Sequence, residues 1–179
     1  MRILISGGPG SGCTSTAKVL GKELGLPVFD SDSYFHKPTD PPFQEQYTTE
    51  ERRTLLEAAL ASEPGWILSG SVATWGLDSL EPTHGVFLDI PGGVRLDRLI
   101  LRQRNQFGSR IDPGGDMHAE HEAFIEWAAG YEDRSGHGRN STTDCSFLET
   151  YCGHFLAITE AQAMEEIVRR IVSFLTHSG

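Results

Sequence analysis

Arg2-Ile3-Leu4-Ile5-Ser6-Gly7-Gly8-Pro9-Gly10-Ser11-Gly12-Cys13-Thr14-Ser15 is the stretch on which the reading of this chain turns. A short apolar, β-branched run breaks into a glycine-rich turn and passes without a spacer into a helical pattern. Strand, tight turn and helix in that order make a concavity of backbone N–H donors closing on a helix N-terminus, which is an anion site.

Gly7 and Gly12 fall at the spacing of G-x-x-x-x-G-K-[ST], with Thr14 in the hydroxyl position. The lysine position holds Cys13. A nest of amides can hold phosphate without a lysine. Gly7, Gly8, Gly10, Ser11, Gly12, Cys13, Thr14 and Ser15 are therefore the expected nucleotide-binding residues, with the Thr14 hydroxyl reaching a Mg²⁺ bound between phosphates. What the loop gives up is a cation reaching the outer phosphates. At the head of the helix, the Cys13 side chain is expected to point toward those phosphates.

Working outward, the first strand is read at 2–5 and the first helix from 13 or 14 to 24, with Val19, Leu20 and Leu24 as its apolar stripe and Gly25 as its C-cap. A second short strand follows at 26–29. This is a βαβ unit, which implies parallel pairing and a right-handed crossover. Strand two ends in Asp30-Ser31-Asp32, and ligands of open parallel sheets gather at the carboxyl ends of strands. If the extended path persists, alternation puts both carboxylates on one side. Asp30 is then expected at the metal with Thr14, and Asp32 at an acceptor hydroxyl. The competing reading is an Asp/Ser helix-capping turn.

Residues 36–47 contain Pro38, Pro41 and Pro42 and read as loop, packed by Phe43 and Tyr47. Thr48 and Glu51 fit a capping box that opens a helix over 50–61 with Leu55, Leu56 and Leu60 buried. The third strand is expected at 66–71, with no aspartate at its end, and Trp75 beyond it is either a wall of the acceptor pocket or packing. The fourth strand, 85–90, leads through Pro91 into an arginine-rich helix over 92–107. Arg95, Arg98 and Arg102 share one face; for Arg95 and Arg98 the reading is a solvated face paired with glutamates. Arg102, Arg104 and Arg110 flank the glycine-rich segment 107–116, with no compensating acidic run, and read as a lid closing over phosphates.

A helix over 117–131 follows. Its His118, His121 and Glu122 fit neither zinc-helix order. The polar stretch 132–144 offers Arg134 and Arg139 as further candidates to reach the site. A short helix at 147–151, a fifth strand at 154–158 and a last helix over 160–175 complete the chain, the last capped by Thr159 with Ala163, Ile167, Ile171 and Leu175 as its spine. Five strands alternating with helices define an α/β fold with a buried parallel sheet.

The 179 residues fit one domain. A formal charge of −10 argues against non-specific nucleic-acid or anionic-membrane binding. The apolar runs are too short for a membrane span, and the glycine loop begins too early for a signal peptide, so the expected location is the cytoplasm. Cys13, Cys145 and Cys152 make neither a disulfide framework nor a zinc motif.

The phosphate loop, the Asp30/Asp32 pair and the arginine-flanked segment together resemble the small-molecule P-loop kinases of the nucleoside-monophosphate, shikimate and gluconate kinase type, over nearly the whole chain. In particular the chain resembles uncharacterised bacterial adenylate-kinase-like ATPases whose loop lysine is replaced. The resemblance implies a five-stranded sheet in the order 2-3-1-4-5, a single domain over 1–179, an acceptor-binding insert over about 33–64 and a lid over about 104–118. It implies ATP and Mg²⁺ as cofactors, a nucleotide or small hydroxylated metabolite as acceptor, and Asp32, Arg102, Arg104 and Arg110 as the residues of transfer. A monomer or homodimer is expected. The alternative is a nucleotide-binding protein with little or no turnover, or a slow NTPase, and it rests on Cys13. Since phosphoryl transfer is mostly positioning and electrostatics, a missing clamp charge slows the reaction by roughly a hundredfold without removing a chemical step.

Overall fold

The first strand of the chain is the middle strand of its sheet. In the computed structural model, which describes residues 1–40, 42 and 44–178, β1 (Arg2–Gly7) pairs in parallel with β3 (Trp66–Ser69) on one side and β4 (His84–Leu88) on the other. β2 (Val28–Asp30) and β5 (His154–Ile158) complete an all-parallel sheet in the order β2-β3-β1-β4-β5. The expected order is thus observed, in an α/β fold.

Burial on both faces explains the near-continuous apolar runs of the central strands. Alternation divides β1 cleanly: Ile3 and Ile5 enter one core, Leu4 the other. The first core is closed by α1 (Cys13–Leu24) and α7 (Met164–His177) through Ala17, Leu20, Ile167, Ile171 and Leu175. The second is closed by α3 (Thr49–Ala61), through Leu56 and Leu60, and by α6 (Ser141–Tyr151), through Phe147 and Leu148. The capping box of α3 is present as read, with both Thr48 and Glu51 side chains bonded. Gly25 ends α1 in the left-handed conformation. Trp75 is core packing, buried against the second cluster.

Several boundaries and stripes differ from expectation. The extended path of β2 stops at Asp30: Ser31 is already helical, and the short α2 (Asp32–Phe35) follows. Val19 and Leu55 are each 43% exposed, one residue off their helices' buried stripes. The last helix begins at Met164 after Ala163, so Thr159 caps nothing. The polar run before Phe147 hides the first half of α6, whose cap is Asn140 accepting from the Thr143 amide at 2.8 Å. The expected packing of Phe43 lies outside the described residues. Beyond β4, α4 (Gly92–Phe107) and α5 (His118–Ala129) are joined by a turn of 3-10 helix, Gly108–Ile111.

Candidate active site

β1 delivers the chain at Gly7 into the loop, and α1 takes it up at Cys13. Between them Gly10 and Gly12 hold φ of 86° and 99°, the left-handed region open to glycine. Gly8 and Gly10 also admit a close neighbour: a Cβ on Gly8 would strike the Arg95 guanidinium, and one on Gly10 the Arg95 carbonyl. The Ser11 amide bonds back to the Gly8 carbonyl and the Thr16 amide to Gly12. Among the described residues no acceptor takes the amides of Gly10, Gly12, Cys13, Thr14 or Ser15. Unclaimed donors at a helix N-terminus are what a phosphate chain needs, so the loop fits the group expected there.

Thr14 Oγ1 donates to Asp30 Oδ2 at 2.9 Å, and Asp30 Oδ1 accepts from the Asp32 amide at 3.1 Å. Hydroxyl and carboxylate therefore stand together at the mouth of the loop, although helix α2, and not strand alternation, places Asp32 there. Burial, and then the Asp32 charge, raise the Asp30 pKa against the pull of its hydrogen bonds and of Lys18. Two oxygen ligands from protein, with the remainder from phosphate and water, suit Mg²⁺.

Arginines brace the loop from outside its own sequence. Arg95 Nη1 donates to the Pro9 carbonyl at 2.8 Å, Arg98 Nη1 to Ser11 at 3.5 Å and Arg139 Nη2 to Gly7 at 3.1 Å. Arg95 overturns the expectation of a solvated face. It is 0% exposed, donates through Nε to Ile90 and is ion-paired with Glu132. The buried stripe of α4 is Arg95, Leu99 and Gln103 at four-residue spacing. Arg98 remains on the exposed side as read.

Sequence reasoning missed the buried cluster beneath Arg139. Asp144, 1% exposed, accepts from Ser71 Oγ at 2.5 Å and from Tyr131 Oη at 2.8 Å, and its Oδ2 lies 3.7 Å from Arg139 Nε. Burial drives its pKa up; Arg139 and the two hydroxyls oppose that. Burial and the neighbouring Asp144 push the Tyr131 phenol up as well, so it stays a donor. No local pattern in 132–144 marks Asp144, since the two hydroxyls that bond it, on Ser71 and Tyr131, lie outside that stretch.

Cys13 is buried, its Sγ 3.2 Å from Ser11 Oγ, and packs in the core with Ile5 and Ala17. Burial pushes its thiol up to about 11, outweighing the Ser11 hydrogen bond and Arg139. The expectation that Cys13 points toward the outer phosphates is not met: the neutral side chain is packed under the loop in the first core.

The arginines around the segment expected to act as a lid are not free of acids, contrary to expectation. Arg104 pairs with Asp112 at 2.5 Å, and Arg110 with Asp116 at 2.7 Å and Asp40 at 3.6 Å. Arg102 lines a shallow groove along α4 with Arg98, Leu101, Asn105 and Gln106. Arg134 donates through Nη1 to the Trp127 carbonyl and lies over the Trp127 ring, its buried Nε and Nη2 having no hydrogen-bond partner among the described residues.

Sheet order, glycine loop and flanking helices define the class: a P-loop fold of the nucleoside-monophosphate-kinase type, kinase-like in architecture. Solved structures of that class superpose over almost the full chain. A shikimate kinase from Bacteroides thetaiotaomicron matches with a TM-score of 0.55 and 22% identity, covering 98% of each chain. A sugar kinase from Janibacter matches with 0.53 and 20%, covering 98% of this chain and 94% of its own. For a gluconokinase from Sinorhizobium meliloti the values are 0.51 and 16%, with 98% and 91% covered. These likenesses show the fold.

No protein-family model matches the chain. The chain belongs to the family of the uncharacterized protein YqaC of Bacillus subtilis, to which it is 31% identical over 176 residues, 97% of each protein.

Proposed function

We propose that the chain is an ATP-dependent phosphotransferase acting on a nucleotide or small hydroxylated metabolite, of the adenylate-kinase-like group in which the loop lysine is replaced. The observation that carries this reading is the Thr14–Asp30 hydrogen bond at the mouth of a loop whose amides are unclaimed. One Asp30 oxygen serves the turn through the Asp32 amide; the other, on the Thr14 hydroxyl, is what a magnesium-dependent transfer site needs and a merely anion-binding turn does not.

In this reading ATP supplies the phosphoryl group and Mg²⁺ neutralises its oxygens. The residues from Gly7 to Ser15 hold the phosphates. Thr14 and Asp30 serve the metal. Asp32, exposed at the head of α2, orients the acceptor hydroxyl and takes its proton as the oxygen attacks phosphorus. Residues 33–64 form the acceptor insert and 104–118 the lid, in one domain of a cytoplasmic monomer or homodimer. The Arg110–Asp40 pair already joins lid to insert. Closure requires Arg104 and Arg110 to leave their acids for phosphate oxygens.

A second reading, nucleotide binding with little or no turnover or a slow NTPase, is favoured by the neutral, buried Cys13 and by those same lid pairs. A titration with fluorescent ATP with and without Mg²⁺, followed by an acceptor screen read as ADP release, separates the two. Acceptor-dependent release supports the kinase. Binding alone supports the second reading, and absence of binding overturns both.

A further inference from the structure

With Cys13 neutral and buried, the loop has no cation of its own, yet one stands at its base. Arg139 lies between α5 and α6 and donates through Nη2 to the carbonyl of Gly7, the last residue of β1. Its Nε is buried and has no hydrogen-bond partner, sitting 3.7 Å from Asp144 Oδ2. A guanidinium has five donors, and here one N–H is spent. The side chain keeps 27% of its surface exposed, with its guanidinium 5.8 Å from the centre of the Trp127 ring.

Asp144 does not depend on Arg139 alone. The Ser71 and Tyr131 hydroxyls hold both its oxygens, so the guanidinium can turn toward another anion without leaving a bare carboxylate. Of the other arginines, Arg95, Arg104 and Arg110 are held by acids. Arg95 is enclosed by the Ile90 and Pro9 carbonyls and Glu132. Arg98 meets Ser11 from the exposed face of α4, and Arg104 and Arg110 are paired within the lid segment. Arg139 is the positive group whose charge reaches the Cys13 thiol, lowering its pKa against the effect of burial.

We propose that Arg139 supplies the outer phosphates of a nucleoside di- or triphosphate with the positive charge that a lysine at residue 13 would have given, with Asp144 as its positioning residue. The inference rests on the reading of the loop as a nucleotide site. A guanidinium forks across two phosphate oxygens where an ammonium is a point charge, so the substitution changes geometry while keeping the charge.

The test is calorimetric titration of the full chain with ATP, ADP and AMP in Mg²⁺. Losing one charge-assisted contact is expected to weaken ATP and ADP by roughly tenfold to a hundredfold in Arg139→Ala, with AMP little changed. Cys13→Lys should restore that loss in the Arg139→Ala background, and should add little to the wild type because the two charges compete for one place. Arg139→Ala also strips Asp144 of its counter-charge. Arg139→Ala/Asp144→Asn is therefore titrated beside it, with melting temperatures confirming that the compared variants are folded. If wild type binds ATP and either folded variant binds it equally well, the inference fails while the nucleotide reading stands. Failure of Cys13→Lys to rescue Arg139→Ala likewise overturns it, since the arginine then acts elsewhere. If wild type binds none of the three nucleotides, the nucleotide reading falls, and the inference with it.

Discussion

The Arg95 guanidinium is 0% exposed and is paired with Glu132, whose side chain keeps 37% of its surface. A buried cation with its counter-charge at the water's edge is asymmetric: removing the acid strands the base. Glu132→Ala is expected to cost about 2 kcal/mol, less than the roughly 3–5 kcal/mol of a fully buried pair, because water reaches the carboxylate. Urea unfolding measures it. A loss within experimental error would mean that the Ile90 and Pro9 carbonyls suffice to hold Arg95.

The loop glycines divide by what surrounds them. Gly10→Ala meets both a left-handed φ and the Arg95 carbonyl, whereas Gly12→Ala meets the φ alone, with open space about its Cβ. Left-handed strain costs about 1–3 kcal/mol. Gly12→Ala should lose about that much and Gly10→Ala clearly more, read as melting temperatures. A bulkier residue at Gly12 should in addition abolish nucleotide binding, which titration checks.

For the metal, Asp30→Asn should weaken the magnesium dependence of nucleotide binding. Asp32→Asn should spare binding and remove transfer. Wild-type behaviour in both variants would assign the pair to turn structure.

Arg104→Ala and Arg110→Ala should lower turnover more than nucleotide affinity, the mark of contacts made mainly in the transition state. Because Arg110 is held by Asp116, Asp116→Asn should ease closure and raise turnover by a few-fold, of the order of one exposed ion pair. If the arginine variants change KM alone, these side chains are ground-state binders.

At the opposite end of the sheet, His84 is buried, its Nδ1 beside Thr83 Oγ1 at 2.9 Å and its ring stacked 5.1 Å from that of His154. Burial, then His154 and the chain's amino terminus, lower its pKa. The unfolded chain therefore takes up the proton first. The contribution of His84 is fully present above about pH 6.5 and is lost as pH falls through the lowered folded value. His84→Phe should flatten the fall in melting temperature between neutral and mildly acidic pH. An unchanged slope would place the acid sensitivity elsewhere.

The five strands are legible in the sequence because they rest on local signals, apolar runs, a glycine loop and a βαβ spacing, whereas their order is what the resemblance to P-loop kinases implies. Helix α4 is legible to the residue. Its inward face is not, because Arg95 reads as polar, although its i+4 partner Leu99 sits on the same line. Asp144 is invisible for a different reason. Its meaning lies in Ser71, Tyr131 and Arg139, which only the tertiary fold assembles. The acids near the lid stand in plain view at Asp112 and Asp116, but pairing geometry across a turn cannot be read from spacing.

The loop begins at residue 7, but its arginine braces come from residues 95, 98 and 139. During synthesis the glycine turn emerges before these arginines and stays unsupported until contacts of long sequence separation form. A lysine inside the loop would give the first βαβ unit its charge as soon as it folded. Here a chain halted before residue 139 carries the whole phosphate-loop sequence and lacks the Gly7 brace, so assembly of the complete site reports that synthesis has passed residue 139.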